Sequence, residues 1–166
     1  TAFSITGSET ENFQVHHNTF ANLNYGIISS APEVTIRNNE FSKISGYAIQ
    51  HGAYYNLTVS DNTFEDCNYA VYIHGNTDSF TVKDNVMSNN RIRSASGSSY
   101  GIYLSSAQYG TITGNTISQF DQAGLFYSNV NVITTTGNDI FDNGWGVLIS
   151  GGDDTRLLHI NGNDIY

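Results

Sequence analysis

The sequence predicts an all-β solenoid, in which short strands stack coil on coil along one axis. Asparagine occurs seven times at the position two residues before an apolar residue, with spacings of 21, 23, 23, 30, 23 and 25 residues. A period of this length is typical of repeat folds, in which each repeat packs only against its neighbours. No stretch has helical periodicity long enough for a helix of ordinary length. The seven residues are Asn18, Asn39, Asn62, Asn85, Asn115, Asn138 and Asn163.

Each period contains three short strands. Residues five and three positions before the Asn alternate with polar ones, as in Leu57 and Val59, which indicates a strand with one buried face. Residues two and five positions after it, such as Phe64 and Cys67, form a second inward-facing segment. The third strand begins with a triplet of an aromatic, a small and an aliphatic residue. The triplets are Tyr25-Gly26-Ile27, Tyr47-Ala48-Ile49, Tyr69-Ala70-Val71, Tyr100-Gly101-Ile102 and Trp145-Gly146-Val147, with Phe3-Ser4-Ile5 as an earlier copy and Ala123-Gly124-Leu125 lacking the aromatic.

Three strands per coil predict a right-handed, single-stranded parallel β-helix of about seven coils. Neighbouring strands lie about 4.8 Å apart, so the stack should be about 30 Å long. Asparagine suits a tight turn, because its side chain tolerates the left-handed region and bonds to the main chain. Stacked amides can also bond one another, so an Asn ladder is expected at one turn.

Composition favours an acidic protein with a narrow apolar core. The 166 residues carry a net charge of −9, which argues against a nucleic-acid partner. No apolar run reaches the roughly 20 residues of a membrane span. The single Cys67 is expected to pack in the core. Residues 1–166 are predicted to form one domain from a longer chain, and the rest of that chain or other protomers are expected to cover the open coil ends.

The stretches Gly101-Ile102-Tyr103-Leu104 and Gly110 to Ile117 resemble the right-handed parallel β-helix repeat of the pectate-lyase-like superfamily. That repeat occurs in polysaccharide lyases, uronate epimerases, the periplasmic copper-maturation protein of nitrous oxide reductase and phage tailspikes. The resemblance covers nearly the whole chain. It implies an extracellular or cell-surface β-helix associated with carbohydrate, whereas a fold alone does not fix an activity.

An aromatic stripe is the predicted ligand surface. Alternation places one residue after each buried aliphatic on the outside, beside a column of small residues that would form an open floor. Exposed aromatics in a row generally mark a binding surface. Burial of the stripe against protein is the alternative. The outward residues are Ile28, Gln50, Tyr72, Tyr103, Phe126 and Leu148.

The one long coil contains a loop insertion at residues 89–99, directly before Tyr100. It places Arg91 and Arg93 at the rim of the stripe. Because guanidinium groups bind carboxylates in a bidentate manner, an acidic polysaccharide is the expected ligand. A solvated loop without a role is the alternative.

The candidates for proton transfer in a lyase or epimerase reaction are His74, Tyr72 and His51. His51 and His74 each lie eleven residues before the next repeated Asn, so we expect them to stack, with His74 near Tyr72 and within reach of Asp78. The alternative is that both histidines are structural corner residues.

Two further clusters give weaker signals. Asp61 and Asp84 would stack at the separation of a retaining glycosidase, but their column also contains Asn and Gly, which indicates a backbone requirement. His16 and His17 lack a third ligand at a suitable spacing, so no metal site is predicted. No cofactor is identified, and a divalent cation such as calcium is left open without assigned residues.

Two functions therefore remain. One is a carbohydrate-binding part of an enzyme that degrades or modifies an acidic polysaccharide, either a lyase or epimerase or a glycoside hydrolase. The other is a structural or adhesive β-helix, such as a surface-layer, stalk or filament unit, without catalysis.

Overall fold

The computed structural model of the chain describes residues 1–7, 12–52, 56–89, 98–151 and 157–166. In this part of the chain all regular structure is β-strand, and no helix is long and apolar enough to cross a membrane. In chain order the strands are β1 (Phe3–Ile5), β2 (Phe13–His16), β3 (Thr19–Ala21), β4 (Ile27–Ser29), β5 (Val34–Arg37), β6 (Glu40–Ser42), β7 (Tyr47–His51), β8 (Leu57–Ser60), β9 (Thr63–Glu65), β10 (Tyr69–His74), β11 (Phe80–Lys83), β12 (Val86–Ser88), β13 (Tyr100–Ser105), β14 (Tyr109–Thr113), β15 (Thr116–Ser118), β16 (Ala123–Ser128), β17 (Val132–Thr136), β18 (Asp139–Phe141), β19 (Val147–Ser150), β20 (Leu157–Asn161) and β21 (Asp164–Ile165).

Every third strand joins the same parallel sheet, which confirms the predicted β-helix. Sheet 1 runs β1-β4-β7-β10-β13-β16-β19, sheet 2 runs β2-β5-β8-β11-β14-β17-β20, and sheet 3 runs β3-β6-β9-β12-β15-β18-β21. Each coil therefore contributes one strand to each face of a three-sided stack. The right hand of the coil stays a prediction.

The core is a set of aligned apolar rows between the three sheets. In sheet 1 the predicted row pairs Val71 with Ile49 and with Ile102, and all three side chains are fully buried. Val147, in the last of the seven strands, is only partly buried. Phe41 stacks between Phe20 and Phe64 in sheet 3, with ring centroids 4.7 and 4.9 Å apart. Cys67 is fully buried, as predicted.

The Asn ladder runs from Asn18 to Asn163. At its middle, the main-chain N–H of Asn62 donates to Oδ1 of Asn85 at 3.0 Å, and the same oxygen lies 3.0 Å from the Asn62 amide nitrogen. That amide also donates to the carbonyls of Ile36 and Ser60, each at 2.9 Å. Because Asn62 is only 1% exposed, these bonds satisfy main-chain groups that water does not reach.

A left-handed residue precedes each Asn of the ladder. This column contains His17, Asn38, Asp61, Asp84, Gly114, Gly137 and Gly162, with φ between 53° and 66°. Asp61 and Asp84 therefore occupy turn positions that Asn, Asp and Gly tolerate best. The structural interpretation of these two carboxylates is confirmed by their backbone conformation.

Replacing Val71 with Asp should unfold the middle coils, because it buries an unpaired carboxylate in the sheet 1 row. We expect the free energy of unfolding to fall by at least about 3 kcal/mol in a denaturant titration. Thr81→Asp, on the outer side of the same coil, is the matched control and should cost less than about 1 kcal/mol. Equal stability of the two variants would contradict the assigned core row.

Candidate functional site

Sheet 1 carries one continuous outward row, in the predicted register. Tyr72 pairs with Gln50 on one side and with Tyr103 on the other, and Tyr103 pairs with Phe126. All four side chains are partly exposed. Beyond these four residues, Ile28 pairs with Gln50 and Leu148 pairs with Phe126. The structure thus brings together the six residues that alternation placed outside.

The predicted floor of small residues is wrong, because that column faces the core. Ala48 and Ala70 are fully buried. A Cβ added to Gly26 would lie 3.2 Å from the Phe41 ring, and one added to Gly101 would lie 2.5 Å from Cγ2 of Ile117. In the five triplets from Tyr25-Gly26-Ile27 to Ala123-Gly124-Leu125, the second and third residues therefore both point inward, toward the apolar row of sheet 3. Only a small side chain fits at the second position. The prediction that Phe3-Ser4-Ile5 is an earlier copy is wrong, because Phe3 rather than Ile5 pairs with Ile27 and Ser4 is exposed.

This break in alternation turns the first residue of the triplet outward. The main-chain N–H of Tyr69 donates to the carbonyl of Gly46 at 3.1 Å, and that of Tyr100 donates to the carbonyl of Asn68 at 2.9 Å. These bonds position the start of β10 and β13, so the tyrosine rings join the outward row. The aromatic residue that opens most triplets is visible in the sequence. Strict alternation places it on the same inward face as the aliphatic residue, so the sequence analysis did not predict it on the surface.

The result is an aromatic face, which we define as Tyr47, Tyr69, Tyr72, Tyr100, Tyr103 and Phe126. Its rings contact one another across four coils, and the centroids of Tyr47 and Tyr72 lie 4.9 Å apart, nearly parallel at 27°. Tyr103 meets Tyr72 edge-on at 5.1 Å and lies 4.6 Å from Phe126. Tyr100, at 9% exposed, is the most buried of the six. The face is a packed aromatic surface rather than a row of separate rings.

The seven strands of sheet 1 contain no Asp, Glu, Lys or Arg. Burial, followed by the neighbouring phenols, raises the pKa of Tyr69 to about 12. The same causes raise the pKa values of Tyr72 and Tyr103. The side chains of Tyr69, Tyr72 and Tyr103 are therefore neutral hydroxyl groups near neutral pH.

A histidine borders the aromatic face. The His74 ring stacks on Tyr72 with centroids 4.9 Å apart, and its Nε2 lies 3.0 Å from the amide nitrogen of Gln50, which can donate to a neutral imidazole. Burial lowers the pKa of His74. The predicted neighbourhood of His74 and Tyr72 is therefore present, whereas their role in proton transfer stays a prediction. Asp78 is exposed in the turn after β10.

His51 does not stack with His74, so that expectation is wrong. His51 pairs with Ile73 and is fully buried, while His74 pairs with Ser105. The coil lengths explain the difference. Thirteen residues separate Ile49 from Asn62, and fourteen separate Val71 from Asn85, so counting back from the Asn shifts the two histidines by one position. With its side chain inside the stack, His51 is not on the surface that a polysaccharide would meet.

Most of the predicted loop lies outside the described residues, including Arg91 and Arg93. Their place at the rim of the aromatic face stays a prediction.

Residues 3–166 match the family described as "Periplasmic copper-binding protein (NosD)". No curated protein and no solved structure matches the chain.

The lowered pKa of His74 predicts a pH-dependent contribution to stability. Protonation of the ring is less favourable in the folded chain than in the unfolded chain, so stability should be lost as pH falls below the ordinary value of 6.5. His74→Gln cannot titrate and should lack this loss. We expect the free energies of unfolding of wild type and His74→Gln to differ by an amount that changes with pH across this window. Parallel curves for the two proteins would contradict the prediction.

Proposed function

This chain belongs to the NosD family of periplasmic copper-binding proteins, and from that premise we propose that it binds polysaccharide on its aromatic face. Family membership places the chain outside the cytoplasm, in agreement with the location expected from the sequence. The single observation that carries the proposal is the contiguous, partly exposed aromatic face. A patch of this kind generally marks a binding surface on a protein.

The rings provide the apolar part of the binding surface. Tyr72, Tyr103 and Phe126 lie on successive coils with centroids 5.1 and 4.6 Å apart, so they form a continuous strip along the axis of the stack. Apolar faces of sugar rings can pack against such a strip. Because the tyrosines already contact one another, little side-chain freedom would be lost on binding.

Polar groups flank the strip and would bind sugar hydroxyls. His74, Ser105, Ser128 and Ser150 form one column across successive strands, because His74 pairs with Ser105, Ser105 with Ser128, and Ser128 with Ser150. Gln50 lies beside His74. Hydroxyl, amide and imidazole groups can both donate and accept hydrogen bonds, which suits a ligand rich in hydroxyls. An apolar strip with a few convergent polar groups is the usual composition of such a site.

Binding is better supported than catalysis. No carboxylate lies on the strands of sheet 1, and the raised pKa of Tyr72 disfavours the phenolate that a tyrosine base would require. That this site is part of a lyase, an epimerase or a glycoside hydrolase stays a prediction. The acidic character of the polysaccharide also stays a prediction, since it depends on Arg91 and Arg93.

The copper of the family name does not fit the described residues as a resident centre. Cys67 and Met87, the soft ligands that copper(I) prefers, are fully buried among core side chains. His16 and His17 are exposed, and their Nδ1 atoms lie 2.9 Å apart. No group of three His, Cys, Asp or Glu in the described ranges is placed to hold a metal ion. We therefore derive no step through copper.

A glycan array that contains both uronate and neutral oligosaccharides tests the proposal. We expect binding, and we expect Tyr103→Ala to weaken it by about 1–3 kcal/mol, by analogy with stacking on aromatic side chains in other sites. If Arg91 and Arg93 bind carboxylates, affinity for uronates should also fall as salt rises.

Tyr109→Ala is the matched control for this experiment. Tyr109 lies on sheet 2 and is 53% exposed, so its loss removes an exposed tyrosine without touching the aromatic face. Unchanged glycan binding by Tyr103→Ala would contradict the proposed site. If the folded wild-type chain binds no glycan, the structural or adhesive function is the better explanation.

A further inference from the structure

The tyrosines of sheet 1 form a connected array of phenol rings. Tyr69 contacts Tyr47 at 4.9 Å, Tyr100 at 5.2 Å and Tyr103 at 5.9 Å, measured between ring centroids. Tyr72 contacts Tyr47 at 4.9 Å and Tyr103 at 5.1 Å. These rings come from β7, β10 and β13, so most of the contacts join one coil to the next.

We propose that this array is an oxidative cross-linking site, at which dityrosine bonds join neighbouring coils. In each event, a one-electron oxidant removes one electron and one proton from each of two neighbouring phenols. The two tyrosyl radicals then couple through the ring carbons next to their hydroxyl groups. The hydrogens of the joined carbons move to the oxygens and restore both hydroxyls.

The reaction is balanced with hydrogen peroxide as the oxidant, activated by a haem peroxidase. Two tyrosines lose two hydrogens in total, and one peroxide is reduced to two water molecules. The coupling needs two radicals in contact before either is quenched. A pair of rings about 5 Å apart in a packed surface meets this requirement better than an isolated exposed tyrosine does.

Two other features favour covalent joining of this kind. The chain contains one Cys, so a disulfide cannot join two of its coils. Compartments outside the cytoplasm are oxidising, and the covalent cross-links that proteins commonly gain there are disulfides. A bond between Tyr47 and Tyr72, or between Tyr69 and Tyr100, would close a loop of one coil and constrain the unfolded chain as a disulfide does.

The test is treatment of the dilute, folded chain with a haem peroxidase and hydrogen peroxide, followed by dityrosine fluorescence and peptide mass spectrometry. We expect cross-linked peptides from a monomeric product, each lighter by two hydrogens. They should join Tyr47 to Tyr69 or Tyr72, Tyr69 to Tyr100 or Tyr103, and Tyr72 to Tyr103. The oxidised chain should also unfold more slowly in denaturant than the untreated chain.

Two variants make this test specific. Tyr69→Phe combined with Tyr72→Phe keeps the rings and their packing but removes both central phenols, so the cross-linked peptides should be lost. Tyr109→Phe removes a more exposed phenol from sheet 2 and should leave them unchanged. The contacts of Tyr100 with Tyr103 and of Tyr25 with Tyr47 remain in the double variant, so a reduced dityrosine yield is expected there. Dityrosine that occurs only in dimers, that depends on Tyr109, or that reaches the wild-type yield in the double variant would overturn the proposal.

Discussion

The repeated asparagine is the constraint on which the rest of the structure depends. Each coil of a parallel stack must turn three times, and buried main-chain groups at a turn need partners that the sheets do not supply. A left-handed residue makes the turn, and the following Asn satisfies the freed groups, as Asn62 does for the carbonyls of Ile36 and Ser60. Because each side chain also bonds the next coil, the same interaction fixes the register between coils.

Register is what assembles the candidate site. No single coil carries more than two tyrosines of the aromatic face, and the face exists because β7, β10, β13 and β16 are aligned residue by residue. A shift of one residue would exchange Tyr72 with a core side chain, as the burial of Ile73 beside it makes clear. The Asn ladder lies at the turn between sheets 2 and 3, and the aromatic face lies on sheet 1. Both depend on the same residue-by-residue alignment of successive coils.

The Asn spacing predicted the three-stranded coil, the ladder and the buried aliphatic row, because these depend on a period that every coil repeats. The site was predicted only in part. Tyr72, Tyr103 and Phe126 follow from alternation, whereas Tyr69 faces outward because Ala70 and Val71 both point inward at a corner. His51 was misplaced because the distance from Ile49 to Asn62 is one residue shorter than the distance from Val71 to Asn85, so counting back from the Asn does not give the register. A local break in the pleat has no periodic signal, so it requires the structure.

The most direct measurement is the free energy of unfolding of Asn62→Ala beside that of Asn18→Ala. Loss of the Asn62 amide would leave two buried carbonyls without this donor, so we predict destabilisation by at least about 3 kcal/mol. Asn18, at the end of the ladder, is partly exposed and donates to the exposed carbonyl of His16, so its loss should cost less than about 1 kcal/mol. Equal, small effects at the two positions would contradict the account, because the ladder would then not be what holds the coils in register.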